Sequence, residues 1–217
     1  MIKGIVFDLD GTLVDTIYDL YSAVNFALKK RGYTERTLEQ VRSFVGNGIS
    51  NLMERSAPEG CSEKEINCLL KDFSEYYLKH CCDNSVPYGG IAELLETLRE
   101  RGIKVAVITN KAHNMAAIIL EKLFGNVFDS VVGMSDMYPK KPNPTSTLKT
   151  LEKLGVKREE SLFIGDSEVD ILTAKNSNIK SVGVSWGFRS VEKLRKTGAD
   201  YIITSPFELL SIIEENA

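Results

Sequence analysis

The chain has 217 residues, 43% of them hydrophobic and 26% charged, with a net charge of −3. That length can bury a substantial core as one domain, or as a domain carrying an insertion. The slight negative charge gives no electrostatic case for a nucleic-acid or anionic-membrane partner, no apolar run approaches the roughly 20 residues of a membrane span, and the first residues lack a signal-peptide plan, so a cytoplasmic protein is expected.

The first strand is the apolar run Ile5-Val6-Phe7, which ends on Asp8-Leu9-Asp10-Gly11-Thr12. A buried strand ending on two acids needs a use for them, because close carboxylates resist joint ionisation. A hard cation, a proton held on one acid, or covalent chemistry would each supply that use. Residues 16 to about 83 then read as helices only, over 16–31, 35–44, 49–55 and 62–79, with breaks at Gly32 and at Gly46–Gly48. From Tyr88 onward strand and helix alternate. Ile91, Leu94, Leu95 and Leu98 share a helical face, and Gly102 suits the stop. A strand over 104–109 shows little alternation, as expected for a sheet covered on both faces. A helix over 114–123, a strand over 130–133 and a helix over 144–154 follow. The last of these carries the stripe Leu148, Leu151, Leu154 and stops at Gly155. Strands over 161–165, 180–185 and 201–203, a helix over 168–176 and a C-terminal helix complete the chain.

This rhythm predicts an α/β protein: a doubly wound parallel-sheet (Rossmann-like) core from residues 1–14 and 84–217, with an inserted all-α cap over 15–83. Four cysteines without a CxxC pair, and two histidines, support no zinc site and read as reduced thiols.

Ligands of an open parallel sheet bind beyond the carboxyl ends of its strands. Asp8 and Asp10, Thr109 and Asn110, Asp166, and the loop residue Lys141 all fall at that edge. Asp8, Asp166 and Asp170, with a backbone carbonyl near Asp10, form the all-oxygen set that Mg²⁺ prefers. The Thr109 hydroxyl and nearby N–H groups can hold phosphate oxygens. Lys141 offers a positive charge, and one carboxylate can attack phosphorus.

Asp8-Leu-Asp-Gly-Thr12, Thr109-Asn110, Lys141-Pro-Asn-Pro144 and Gly165-Asp166-Ser-Glu-Val-Asp170 resemble, in order, the four motifs of the haloacid dehalogenase-like hydrolases. The resemblance spans essentially the whole chain. It implies Asp8 as nucleophile, Asp10 as general acid and then base, Thr109 and Asn110 on phosphate, Lys141 on Asp8 and the phosphoryl group, and Asp166 and Asp170 on Mg²⁺. Gly11 and Thr12 of the first motif, with Gly46, Asn47 and Gly48 of the cap, join the expected substrate- and phosphate-binding set. Asp10 separates the chain from relatives that store the phosphoenzyme and from the metal-free dehalogenases, and points to hydrolysis or phosphomutase chemistry. Val45-Gly-Asn-Gly48, Thr109-Asn-Lys111 and Gly183-Val-Ser-Trp-Gly-Phe-Arg189 resemble the phosphoglycolate phosphatase group. The implied partner is a small phosphorylated metabolite, with monomer and homodimer both open. The alternatives are a β-phosphoglucomutase-like enzyme and an idle binding protein on the same fold.

Competing local readings stand beside these. The Pro-Asn-Pro that follows Lys141 favours it over Lys140. Asp170 could serve only as a first-turn helix acid, Asp15 as a helix cap, and Gly46-Asn47-Gly48 as a plain helix–helix turn. Arg42, Lys111 and Arg189 read as solvated charges, with a substrate contact as the alternative. His113 reads as a helix-start residue, and Trp186 and Phe188 as packing residues.

Overall fold

A computed structural model describes residues 1–135 and 138–216. In chain order the elements are β1 (Gly4–Phe7), β2 (Val14–Asp15), α1 (Ile17–Lys30), α2 (Leu38–Phe44), α3 (Ile49–Ser56), α4 (Glu63–His80), β3 (Val86–Pro87), α5 (Ile91–Glu100), β4 (Lys104–Ala112), α6 (His113–Phe124), β5 (Ser130–Met134), α7 (Thr145–Leu154), β6 (Ser161–Gly165), α8 (Glu168–Ser177), β7 (Lys180–Val184), α9 (Val191–Thr197), β8 (Tyr201–Ile203) and α10 (Glu208–Glu215).

Six strands form one parallel sheet in the order β5-β4-β1-β6-β7-β8. Both faces of this sheet are covered. Val6 of β1 packs with Ile108, Phe163, Leu151 and Ala174 on the α7/α8 side. Ile5 and Phe7 point the other way, into a core with Val107, Ile164, Leu94 of α5 and Ile119 of α6. A strand buried on both faces has no polar side to alternate with, which explains the unbroken apolar runs in β1 and β4. The chain builds outward from β1 first through β4 and β5, then through β6, β7 and β8. The crevice of a doubly wound sheet therefore opens at the carboxyl end of β1.

Helices α1 to α4 leave and re-enter this core between β2 and β3. α1 and α4 bury Leu20, Ala23, Val24, Ala27 and Leu28 against Leu69, Phe73 and Tyr77. The Asp72 carboxylate of α4 accepts from Lys30 Nζ at 2.7 Å and Arg31 Nε at 2.6 Å. Capping boxes start α2 (Thr37 with Gln40) and α4 (Ser62 with Glu65). The expected helix over 35–44 begins later because residue 36 has other partners. Arg36 N donates to Asn25 Oδ1 at 2.8 Å, and its guanidinium donates to the Ser56 and Ala57 carbonyls at the end of α3. At the junction, Asp19 of α1 accepts from Asn84 N, Ser85 N and Ser85 Oγ at 2.6–2.9 Å. This ties the exit of the helical insert to its entry.

Three further features depart from the expected element plan. β2 and β3 pair antiparallel over two residues each, too short to show a period. β4 continues to Ala112, three residues past the expected end, and α9 follows β7. The four cysteines are free, and among the described residues no helix is long and apolar enough to cross a membrane.

Candidate active site

Three parallel strands deliver acids and polar groups to one place: β1 to Asp8, β4 to Thr109–Lys111, and β6 to Asp166. The turn after β1 depends on Gly11, whose φ of +84° favours glycine, and an added Cβ there would lie 2.5 Å from Asp166 Oδ2. Carboxylate oxygens of Asp8, Asp166 and Asp170 lie within 4.8 Å of one another, all on buried residues. The turn from β6 into α8 holds this spacing. Asp170 Oδ2 accepts from Ser167 N at 3.0 Å and from Ser167 Oγ at 2.6 Å, a capping-box geometry.

Lys141 completes this cluster from the loop after β5. Its ammonium is buried, 2.7 Å from Asp8 Oδ1 and 2.6 Å from Asp170 Oδ1. Burial works against that charge, but the two carboxylates outweigh it and raise the lysine above its ordinary range. Burial pushes the Asp8 carboxyl up to about 6 against the pull of Lys141, and Asp170 adds to the rise. Burial, with Asp170 and Asp8 as neighbours, also holds Asp166 well above the usual carboxylate range. Three crowded buried acids, only two of them paired with the lysine, have the donor chemistry of a divalent-cation site. An added cation relieves the repulsion that raises Asp8 and Asp166.

The Asp10 carboxyl lines the same cleft as Asp8 but has its own partners. It accepts from Thr16 Oγ1 at 2.7 Å and from Lys111 Nζ at 2.8 and 3.0 Å. Its carboxyl is therefore held by Thr16 and Lys111 rather than by Lys141, while its charge still acts on Asp8. Lys111 is the main residue that the sequence reading undervalued. It is 4% exposed rather than solvated, and its ammonium lies 4.8 Å from the Tyr77 ring centroid. Burial opposes its charge, but Asp10 and Tyr77 together raise it above the ordinary lysine range. Alternation gave no signal for it: the strand expected to end at Thr109 runs on to Ala112 with an irregular register after Ile108, and Thr109, Asn110 and Lys111 all reach the cleft.

The remaining expected residues divide into those on the cleft and those beneath it. A cleft opens between the sheet edge and the helical insert. Its lower wall includes Asp8, Asp10, Thr109, Asn110, Lys111 and Asp166, and its upper wall includes Leu20, Val45, Gly46, Gly48, Ile49 and Leu52. Thr109 Oγ1 accepts from Lys111 N at 3.2 Å, so its own proton remains available to a ligand. Asn110, expected on phosphate, has its amide engaged instead. Its Oδ1 accepts from Lys141 N at 2.7 Å, and its Nδ2 donates to the Lys141 and Gly46 carbonyls at 3.2 Å. It fixes the lysine loop and touches the helical insert. Asn47 is not on the cleft wall. Thr12 is fully buried below it, its Oγ1 without a hydrogen-bond partner and its carbonyl accepting from Trp186 Nε1 at 3.1 Å. Asp15 accepts from Ile17 N at 3.2 Å, while His113 opens α6 and takes the Gly133 N–H at 3.3 Å.

The loop after β7 also enters the site. Phe188 N donates to Asp166 Oδ2 at 2.6 Å, and a Cβ on Gly187 would lie 2.2 Å from Asp166 Cβ. Arg189 is 11% exposed at its side chain and binds the insert rather than solvent. Arg42 contributes its carbonyl to that contact, and its guanidinium stands 6.0 Å from the Phe188 ring centroid.

Comparison with known proteins agrees with this geometry. Residues 5–184 match the family model for haloacid dehalogenase-like hydrolases. A phosphoglycolate phosphatase of Aquifex aeolicus (strain VF5) is 33% identical over 99% of this chain and 98% of its own. One from Vibrio parahaemolyticus is 35% identical over 100% and 98%. A solved structure from Lactobacillus delbrueckii subsp. bulgaricus superposes with a TM-score of 0.92 at 35% identity, covering 97% of this chain and 98% of that one. The chain belongs to the haloacid dehalogenase-like hydrolases.

Proposed function

For this member of the haloacid dehalogenase-like hydrolases we propose a Mg²⁺-dependent phosphatase of the cytoplasm. It acts on small phosphate monoesters through an aspartyl phosphate, with phosphoglycolate as the leading substrate. The observation that carries the reading is the buried Asp8–Lys141–Asp170 array beside Asp166. It faces a second acid, Asp10, which is held separately by Lys111 and Thr16. Two carboxyls of one strand end are thereby given different partners and different work.

In the first step an Asp8 carboxylate oxygen attacks phosphorus. The bond from phosphorus to the ester oxygen breaks, and Asp10 gives a proton to the departing alkoxide. In the second step Asp10 takes a proton from water as that water attacks the phosphorus of the aspartyl phosphate. Inorganic phosphate leaves and Asp8 is regenerated. Lys141 lies against Asp8 and favours charge building on the phosphoryl oxygens, while Thr109 donates to one of them. Asp8, Asp166 and Asp170, with the Asp10 carbonyl, would hold Mg²⁺, which neutralises negative charge on the phosphoryl group. The helical insert acts as the cap, its upper wall excluding water and meeting the rest of the substrate.

The test is phosphate release from a panel of phosphorylated acids, sugars and nucleotides, with Mg²⁺ or with EDTA. Magnesium-dependent release, fastest on phosphoglycolate, is expected. Interconversion of hexose phosphates without net phosphate release would identify a phosphomutase, and no reaction on any compound would reject catalysis.

A further inference from the structure

We propose that Arg189 is a positioning residue that latches the helical insert over the reaction site, and that its loop couples this latch to Asp166. The inference deepens the phosphatase reading and rests on it for the identity of the reaction site. Arg189 follows β7 in the sheet core, yet its guanidinium reaches across to the insert. Nη1 donates to the Arg42 carbonyl at 3.0 Å, and Nη2 donates to the Ser43 carbonyl at 3.4 Å and to the Val45 carbonyl. Two of these are carbonyls of the last turn of α2 and the third is that of its cap residue. This is where a helix has no acceptor-satisfying N–H of its own and carries its negative dipole end.

The same side chain is oriented from behind. Its Nε lies 3.5 Å from Glu168 Oε2, and Glu168 Oε1 takes Lys193 Nζ at 2.6 Å. With Nη1 and Nη2 donating to three carbonyls and Nε in an ion pair with Glu168, Arg189 is committed to the insert from its place on the cleft wall. Its role is to place Val45, Gly46 and Gly48 on the cleft wall. Asn110 Nδ2 holds Gly46 O from the other side at 3.2 Å, so two core side chains grip the same roof loop. One residue before Arg189, the Phe188 N–H is bonded to Asp166 at 2.6 Å. A shift of Asp166 is therefore transmitted along one peptide unit to the latch. A lysine could supply the charge but not the fork that spans separated carbonyls.

The test is amide hydrogen exchange on the full-length protein without substrate, in Arg189→Ala and in Arg189→Lys. The Val45 and Leu52 amides, which donate to the Val41 and Gly48 carbonyls, report the roof, and amides of β6 and α8 report the core. In Arg189→Ala the roof is expected to exchange at least about tenfold faster, equivalent to about 1.4 kcal/mol, with β6 and α8 unchanged. Arg189→Lys retains only part of the protection, and it serves alone if the alanine variant fails to fold. With phosphoglycolate, KM rises by a larger factor than kcat falls, because binding must then close an unlatched roof. Roof exchange equal to wild type, acceleration shared with β6 and α8, or a fall in kcat at constant KM each overturn the latch. Absence of phosphate release from any ester rejects the phosphatase reading and leaves the exchange comparison to decide the latch.

Discussion

On the floor of the cleft, Lys141 bridges Asp8 and Asp170 at 2.7 and 2.6 Å; Asp8 follows a strand, Lys141 lies in a loop and Asp170 in the first turn of α8. The roof faces the same space with Leu20, Val45, Ile49 and Leu52 and with the backbone of Gly46 and Gly48. The floor is a set of buried charges whose positions are mutually dependent, so one substitution leaves another charge stranded. The roof is mostly apolar and is held by hydrogen bonds to main chain, so its side chains can change without stranding a partner. Under the proposed function, chemistry is fixed below and selection is adjustable above.

The largest effect after loss of Asp8, the proposed nucleophile, is expected from Lys141→Met. That variant leaves Asp8 and Asp170 facing each other in a buried site, at a cost of about 3–5 kcal/mol in stability by denaturant unfolding in EDTA. It also loses turnover. A stability change near zero would show that the floor is not an interdependent charge set.

Lys111→Met comes next. It removes the ammonium that holds both oxygens of Asp10 while keeping a side chain of similar length. A misdirected Asp10 should lower kcat about 10²-fold, with KM changing much less. Equal effects on both parameters would make Lys111 a substrate contact instead.

The pH dependence of metal-free stability separates the acid cluster from the rest of the protein. Asp8 is raised from 3.8 to about 6 in the folded protein, and Asp166 is raised as well. The folded state thus binds protons that the unfolded chain has released. The stability contributed by Asp8 is full below pH 3.8 and is lost as pH rises through about 6, and Asp166 acts in the same direction. A cation bound to the ionised acids offsets that loss. The gain in Tm from Mg²⁺ over EDTA should widen between about pH 5 and about pH 8; a constant gain would place the cation elsewhere.

The smallest effect belongs to the roof. Ile49→Val removes one methylene from the cleft wall and should shift kcat/KM by about tenfold or less, differently for different substrates. A uniform change across the panel would argue that the roof does not read the substrate.

This division also explains what the sequence made legible. The floor was readable because strands buried on both faces show plain apolar runs, and the residues that end them stand out as polar. Asp8, Thr109 and Asp166 were located in that way, and Lys141 by the loop that follows β5. Lys111 was harder, because a lysine after an apparent strand end looks solvated; only the continuation of β4 to Ala112 turns it inward. Asn110 was placed at the right edge, but its hydrogen bonds depend on two loops that arrive from residues 46 and 141. The pairing of β2 with β3 is too short to leave a pattern. Arg189 binds main-chain carbonyls, and carbonyls carry no side-chain signature by which a partner can be recognised in a sequence.

The most direct measurement is mass spectrometry of the wild-type enzyme, acid-quenched during turnover of phosphoglycolate in Mg²⁺. One added phosphoryl group is expected on the peptide that carries Asp8, absent in Asp8→Asn and absent with EDTA. Phosphate release at wild-type rate by Asp8→Asn, or a phosphoryl group found on another residue, would contradict covalent catalysis at Asp8.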